Sequence, residues 1–102
     1  MAGRSSARTI RAARQVGQNV ATWRKLQNLT GEQLAERAGV SRPTIYKLER
    51  GDLGVGLGVL LEVLRALGQL DALVQATDPY ETDLGRIRSA ENAPQRVRSP
   101  RS

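Results

Sequence analysis

The chain has 102 residues, the length of one small domain. It carries 16 Lys and Arg against 10 Asp and Glu, a formal charge of +6, and it contains neither Cys nor His. These absences exclude disulfides and thiolate chemistry, and they remove the commonest general base and metal ligand. No apolar run reaches the roughly 18 residues of a membrane span, and none follows the basic start as in a secretory signal. The composition therefore predicts a small, intracellular, non-enzymatic domain without metal or cofactor.

The charge is unevenly distributed along the chain. Residues 1–28 carry six bases and no acid, residues 29–83 carry five bases and nine acids, and residues 84–102 carry five bases and one acid. Basic ends around an acidic middle are typical of proteins that bind a polyanion, most often nucleic acid. The alternative is that the basic ends only keep the protein soluble.

Changes in composition divide the chain into three parts. Residues 1–14 are predicted to be a basic arm, and residues 15–76 are predicted to be a helical domain. Residues 77–102 are predicted to be an Arg-rich tail that is disordered or folds on a partner, because its apolar density is low. The arginines of the arm are Arg4, Arg8, Arg11 and Arg14.

The first of five predicted helices follows from an apolar period of three or four residues. The residues of this stripe are Ile10, Ala13, Val16, Val20, Trp23 and Leu26. Thr9 is the predicted N-cap, but Gly17 weakens the helix by about 1 kcal/mol relative to Ala and favours a start nearer Val16. Because Trp23 continues the stripe, it is predicted to belong to the core.

Two short helices separated by a three-residue turn follow, which predicts a helix-turn-helix. Thr30 and Gln33 have the spacing of a capping box at the start of the second helix. Gly39 suits the left-handed conformation that ends this helix. Ser41 is the predicted cap of the third helix, where Pro43 occupies the first turn and needs no N–H partner.

A leucine-rich stripe predicts the fourth helix, which Gly68 closes, and a short fifth helix contains Leu70, Leu73 and Val74. The stripe has more apolar positions than a thin helical bundle needs. We therefore expect part of the segment Leu57–Leu73 to form a homodimer interface.

The segment TGEQLAERAGVSRPTIYKLERG, residues 30–51, resembles the phage-repressor-like (XRE/Cro-type) helix-turn-helix family. The resemblance depends on a small Ala35, on Gly39 four residues later, on Ile45 six residues after that, and on a final Glu-x-Gly. It implies an all-α, five-helix, lambda-repressor-like DNA-binding bundle. The expected protein is a cytoplasmic, nucleoid-associated transcriptional regulator, a dimeric repressor that binds a palindromic operator in double-stranded DNA.

The same resemblance implies roles for individual residues, with the third helix lying in the major groove. Base readout is expected from Arg42, Pro43, Thr44, Tyr46 and Lys47, although Arg42 and Lys47 have phosphate binding as an alternative. Phosphate contacts are expected from Thr30, Gly31, Gln33, Ser41 and Arg50. Many family members have Gln at the position of Gly31, so one phosphate contact is expected to be absent here.

The family often pairs an Arg of the first helix with the Glu before the final Gly. These residues are Arg24 and Glu49 in this chain. We expect the ion pair to be structural, and a direct contact between Arg24 and DNA is the alternative.

After residues 71–74, the C-terminal part of the chain has Asp78-Pro79, then TDLGR at residues 82–86, then PQRVR at residues 94–98. This order resembles the C-terminal ends of HipB-type antitoxins, which are encoded beside HipA-type kinase toxins. This resemblance implies the antitoxin of a type II toxin–antitoxin operon, which represses its own operon and binds a HipA-type kinase toxin. One alternative is a stand-alone repressor with a solubilising tail. Another is a protein-bridging module of the coactivator type, which does not read DNA.

Overall fold

The computed structural model describes residues 4–96, and within them all regular structure is helical. The elements are α1 (Ala7–Leu26), α2 (Gly31–Ala38), α3 (Arg42–Glu49), α4 (Leu57–Leu67), α5 (Leu70–Ala76), a 3₁₀ helix (Pro79–Glu81) and α6 (Asp83–Arg96). The all-α prediction is confirmed, but the described part contains six α-helices where five were predicted. Contacts divide the chain into two units between Leu70 and Asp71. No helix in the described range is long and apolar enough to cross a membrane.

Helix α1 begins earlier than the sequence predicted. Its N-cap is Ser6 and not Thr9, because the Ser6 hydroxyl accepts a hydrogen bond from the Thr9 backbone N–H at 3.1 Å. The expected start near Val16 is also wrong. Much of the predicted arm is therefore helical, and its helical arginines are Arg8, Arg11 and Arg14.

Gly17 lies in the middle of α1 because α1 and α3 approach each other closely there. A Cβ added to Gly17 would lie 2.5 Å from the carbonyl oxygen of Leu48 and 2.6 Å from that of Glu49. Gly51, which follows α3 with a φ of 80°, is equally close to α1, since its Cβ would lie 2.7 Å from the Cα of Arg14. The cost of a mid-helix glycine is thus offset by contact between two helix backbones.

The turn between α2 and α3 has the predicted geometry. The Thr30 hydroxyl accepts a hydrogen bond from the Gln33 backbone N–H at 3.0 Å, and the Gln33 side-chain oxygen accepts one from the Thr30 N–H at 2.9 Å. Gly39 is left-handed, with φ 72°. The Ser41 hydroxyl accepts from the Thr44 backbone N–H at 3.3 Å. Both caps of the helix-turn-helix are therefore confirmed.

The core of the first unit lies where α2 contacts both α3 and α4. Its buried residues are Val20, Leu29, Leu34, Ala35, Ala38, Ile45, Leu48, Val63 and Leu67. Trp23 is 40% exposed, so the prediction that it belongs to this core is wrong. At 100° per residue, Gly17 and Arg24 lie on one side of Val20 around α1, whereas Trp23 lies on the other. The contact at Gly17 turns the first side inward.

The second unit contains part of the predicted tail, and there the structure has a helix. The Thr82 hydroxyl caps α6 by accepting a hydrogen bond from the Gly85 backbone N–H at 2.9 Å. Tyr80 anchors the same helix, because its hydroxyl accepts from Ser89 at 3.0 Å and its carbonyl accepts from Arg86. These local polar contacts, more than apolar density, support α6. Residues 97–102 of the predicted tail and residues 1–3 of the predicted arm lie outside the described residues.

We expect Gly17→Ala to destabilise the protein by about 1–3 kcal/mol, because the added methyl group meets the α3 backbone and forces a shift. The gain in helix propensity, about 1 kcal/mol, opposes this loss only in part. Urea unfolding followed by circular dichroism measures the effect. Gly58→Ala is the matched control, since Gly58 is in α4 and an added Cβ meets nothing within 4 Å. An equal midpoint for Gly17→Ala and wild type would contradict the close contact.

Candidate nucleic-acid interface

The side chains of α3 separate into an inward and an outward face. Ile45 and Leu48 are buried in the core, and Glu49 is turned inward with 12% of its side chain exposed. The outward residues are Arg42, Pro43, Tyr46 and Lys47, followed by Arg50 at the C-cap. Thr44 is partly buried at the edge of this face. The structure thus brings together all five residues predicted for base readout.

The outward face has two edges. Arg42 and Tyr46 lie one turn apart along the edge that borders α2. Thr44 and Lys47 lie along the opposite edge, where they line a shallow cavity together with Gly54 of the loop before α4. The face is therefore flanked by the start of α2 on one side and by a glycine-rich loop on the other.

Arg42 is held by its neighbours although it is exposed. Its Nε donates a hydrogen bond to the Tyr46 hydroxyl at 2.9 Å, and its guanidinium carbon lies 5.5 Å from the centre of the Tyr46 ring. Its Nη1 is 3.9 Å from Glu32 Oε1. The hydrogen bond to Tyr46 raises the pKa of the Arg42 guanidinium above its ordinary value. This cluster was not predicted from the sequence, although the spacing of four residues between Arg42 and Tyr46 was a signal for it.

The residues predicted for phosphate contacts gather at two helix N-termini. The Thr30 hydroxyl and the Gln33 side-chain oxygen cap α2, which leaves the Gln33 Nε2 group for an external acceptor. Ser41 caps α3, and its hydroxyl also lies 2.7 Å from that of Thr44. Gly31 lies beside the Tyr46 ring, and a Cβ there would be 3.6 Å from the ring. The N-terminal N–H groups of both helices border the outward face of α3.

Arg24 and Glu49 form the predicted ion pair in a bidentate geometry. Arg24 Nε donates to Glu49 Oε2 at 2.8 Å, and Nη2 donates to Oε1 at 3.1 Å. The remaining nitrogen, Nη1, donates to the Leu29 carbonyl at 2.9 Å. The hydrogen bond to Glu49 raises the pKa of Arg24. Since every guanidinium nitrogen has an acceptor within the protein, the geometry favours the structural role over a direct contact with DNA.

The basic residues of the N-terminus are exposed. Arg4 precedes α1, and the other three follow at intervals of three residues along its first turns, at Arg8, Arg11 and Arg14. This spacing places them along one side of the helix. Among the residues described, no group of three or more Asp or Glu is positioned to hold a metal ion.

The fold and this face define a helix-turn-helix protein. A family model described as "Helix-turn-helix" matches residues 20–73, just over half of the chain, and the chain belongs to this family. The chain is also similar to a relative from Methanothermobacter thermautotrophicus named "Uncharacterized HTH-type transcriptional regulator". The two are 48% identical over 46 residues, which are 45% of this chain and 67% of the relative. The resemblance to the XRE/Cro-type family is thereby confirmed.

We expect Glu49→Ala to lower the free energy of unfolding by about 3 kcal/mol, because it leaves the Arg24 guanidinium without its partner in a mostly buried position. Glu62→Ala is the matched control, since the pair that Glu62 forms with Arg65 is about half exposed. Its loss is expected to be below about 1 kcal/mol. Urea unfolding curves of both variants provide the comparison. Equal losses would show that the Arg24–Glu49 pair does not hold α1 and α3 together.

Proposed function

We propose that the protein is a sequence-specific DNA-binding transcriptional regulator whose helix α3 reads the major groove. One observation carries this proposal. Residues 29–83 contain only five Lys and Arg residues. Three of these lie on the outward face of α3 or at its end, namely Arg42, Lys47 and Arg50. The acid of α3, Glu49, is turned inward and neutralised by Arg24. A basic face on an otherwise acidic segment fits a polyanion.

The proposed contacts divide into base readout and positioning on phosphates. For the bases we propose Arg42, Pro43, Thr44, Tyr46 and Lys47, since Arg and Lys suit the O6 and N7 acceptors of guanine, and a Thr methyl suits that of thymine. For the phosphates we propose Thr30, Gly31, Gln33, Ser41 and Arg50. The free N–H groups and positive dipole end of α2 and α3 support these phosphate contacts.

We further propose that the protein is a homodimeric repressor on a palindromic operator, with half-sites about 34 Å apart. Exposed apolar residues in the first unit support an interface there, since Leu53 is 49% and Leu57 is 68% exposed. A nucleoid-associated, cytoplasmic location follows from the same proposal. A protein-bridging module of the coactivator type has less support, because it does not require the basic side chains on the outward face of α3.

We also propose a more specific role for this repressor, that of an antitoxin of the HipB type. It is supported by two large apolar residues of α6 that are exposed, Leu84 and Ile87, which lie at helical spacing and suit a protein partner such as a HipA-type kinase toxin. A kinase-like reading frame beside this one is the expected finding. Its absence would favour the stand-alone repressor.

Arg42→Ala and Lys47→Ala are each expected to weaken binding to the DNA upstream of the protein's own reading frame by about 5- to 150-fold, because each removes a base contact worth about 1–3 kcal/mol. Gel-shift titrations at fixed salt measure the effect. Lys25→Ala is the matched control, since it removes the same charge from the end of α1. Wild-type affinity in both α3 variants would overturn the assignment of the recognition helix. An equal loss on unrelated DNA would assign both residues to phosphates.

The basic arm is proposed to follow the DNA backbone. Arg8→Gln and Arg11→Gln are each expected to reduce the slope of log affinity against log salt by about 0.9, the value for one phosphate contact. Point substitutions are preferable to deletion, because Arg14 backbone atoms pack against Gly51. Arg65→Gln is the control, since its guanidinium is paired with Glu62 on α4. An unchanged slope in both arm variants would exclude phosphate contacts by Arg8 and Arg11.

A further inference from the structure

Arg42 and Tyr46 form one unit on the edge of α3 that borders α2. Their hydrogen bond of 2.9 Å and the position of the guanidinium over the ring both occur between side chains that remain exposed, at 55% for the Arg42 side chain and 42% for Tyr46. The pair is therefore available to a ligand that approaches α3 from outside. Neither residue contributes to the buried core of the first unit.

The contact with Tyr46 determines which N–H groups Arg42 can offer. Nε has a single N–H, and the Tyr46 hydroxyl accepts it. Nη1 is 3.9 Å from Glu32 Oε1, which is longer than a hydrogen bond. The side of the guanidinium that contains Nε is thus occupied, whereas the end formed by Nη1 and Nη2 remains open. Two adjacent coplanar donors match the O6 and N7 acceptors of guanine in the major groove.

Gly31 leaves room for the Tyr46 ring beside the start of α2. The ring lies against the first residue of α2, where an added Cβ would already be in van der Waals contact at 3.6 Å. We expect a longer side chain at position 31 to crowd the ring and to displace it from Arg42. The glycine that was expected only to remove a phosphate contact therefore permits the arrangement of the Arg42–Tyr46 pair.

We propose that Tyr46 is a positioning residue that holds Arg42 with its Nη1 and Nη2 groups directed to a guanine in the major groove. This inference rests on the proposed function. On this inference Tyr46 contributes to base readout through Arg42 and not by a base contact of its own, so its removal relaxes the choice of base at one position and leaves the other positions of the site unchanged.

The test begins with selection of binding sites from a library of duplexes with a randomised segment. The wild type is expected to select a guanine that Arg42→Ala no longer selects. The affinity for the selected duplex is then compared with that for the same duplex carrying 7-deazaguanine, which lacks the N7 acceptor. Tyr46→Phe is expected to reduce the wild-type ratio of the two affinities by about 3- to 10-fold, which corresponds to one hydrogen bond.

Two further variants make the test specific. Gly31→Gln is expected to reproduce the effect of Tyr46→Phe, because it displaces the Tyr46 ring from Arg42 while both residues of the pair keep their identity. Lys47→Ala is expected to relax the choice of base at a different position of the site. At this guanine it is expected to keep the wild-type ratio of affinities for the duplexes with guanine and with 7-deazaguanine. Circular dichroism melting confirms that each variant is folded at the temperature of the assay.

The outcomes separate this inference from the proposed function. If the wild type selects a site and Tyr46→Phe keeps the full ratio of the two affinities, the positioning role of Tyr46 is wrong, whereas the proposed function as a DNA-binding regulator is retained. A guanine preference that survives in Arg42→Ala would also overturn the inference. If the wild type selects no sequence at all, the proposed function fails, and the inference fails with it.

Discussion

The crossing of α1 over the C-terminal end of α3 is the contact on which the rest of the first unit depends. At Gly17 the two backbones meet without an intervening side chain, so the distance between the helices is fixed by main-chain atoms. Two turns further along α1, Arg24 donates two hydrogen bonds to Glu49 and a third to the Leu29 carbonyl. The crossing therefore fixes both the distance of α3 from α1 and the rotation of α3 about its own axis. This rotation determines which side chains of α3 face outward.

This rotation also explains how an acidic segment presents a basic surface. Glu49 belongs to the same short helix as Arg42 and Lys47, and a different rotation of α3 would bring its carboxylate onto the outward face beside them. Pairing with Arg24 places that carboxylate inside, where it stabilises the helix crossing. The chain's charge of +6 is thus less informative than the direction in which a few charged side chains point.

Local signals in the sequence were sufficient for much of this fold, and tertiary contacts explain what they missed. The capping box at Thr30 and the left-handed Gly39 depend on neighbours within a few residues, so both were predictable. The start of α1 was not, because Gly17 is disfavoured locally and is required only by α3. Trp23 continues the apolar period, yet the helix crossing turns it outward. The contact between Arg42 and Tyr46 depends on side-chain rotamers, which spacing alone does not define.

We propose that the Arg24–Glu49 pair orients α3 for DNA binding and does not itself contact DNA. A double-mutant cycle on DNA affinity tests it, with Arg24→Ala, Glu49→Ala and the double variant measured at a temperature where all remain folded. Each single variant is expected to weaken DNA binding to a similar degree, and the double variant is expected to lose little more affinity than either one. Additive losses would contradict it, and so would tighter binding by Glu49→Ala, which would mean that the carboxylate acts on DNA as a free charge.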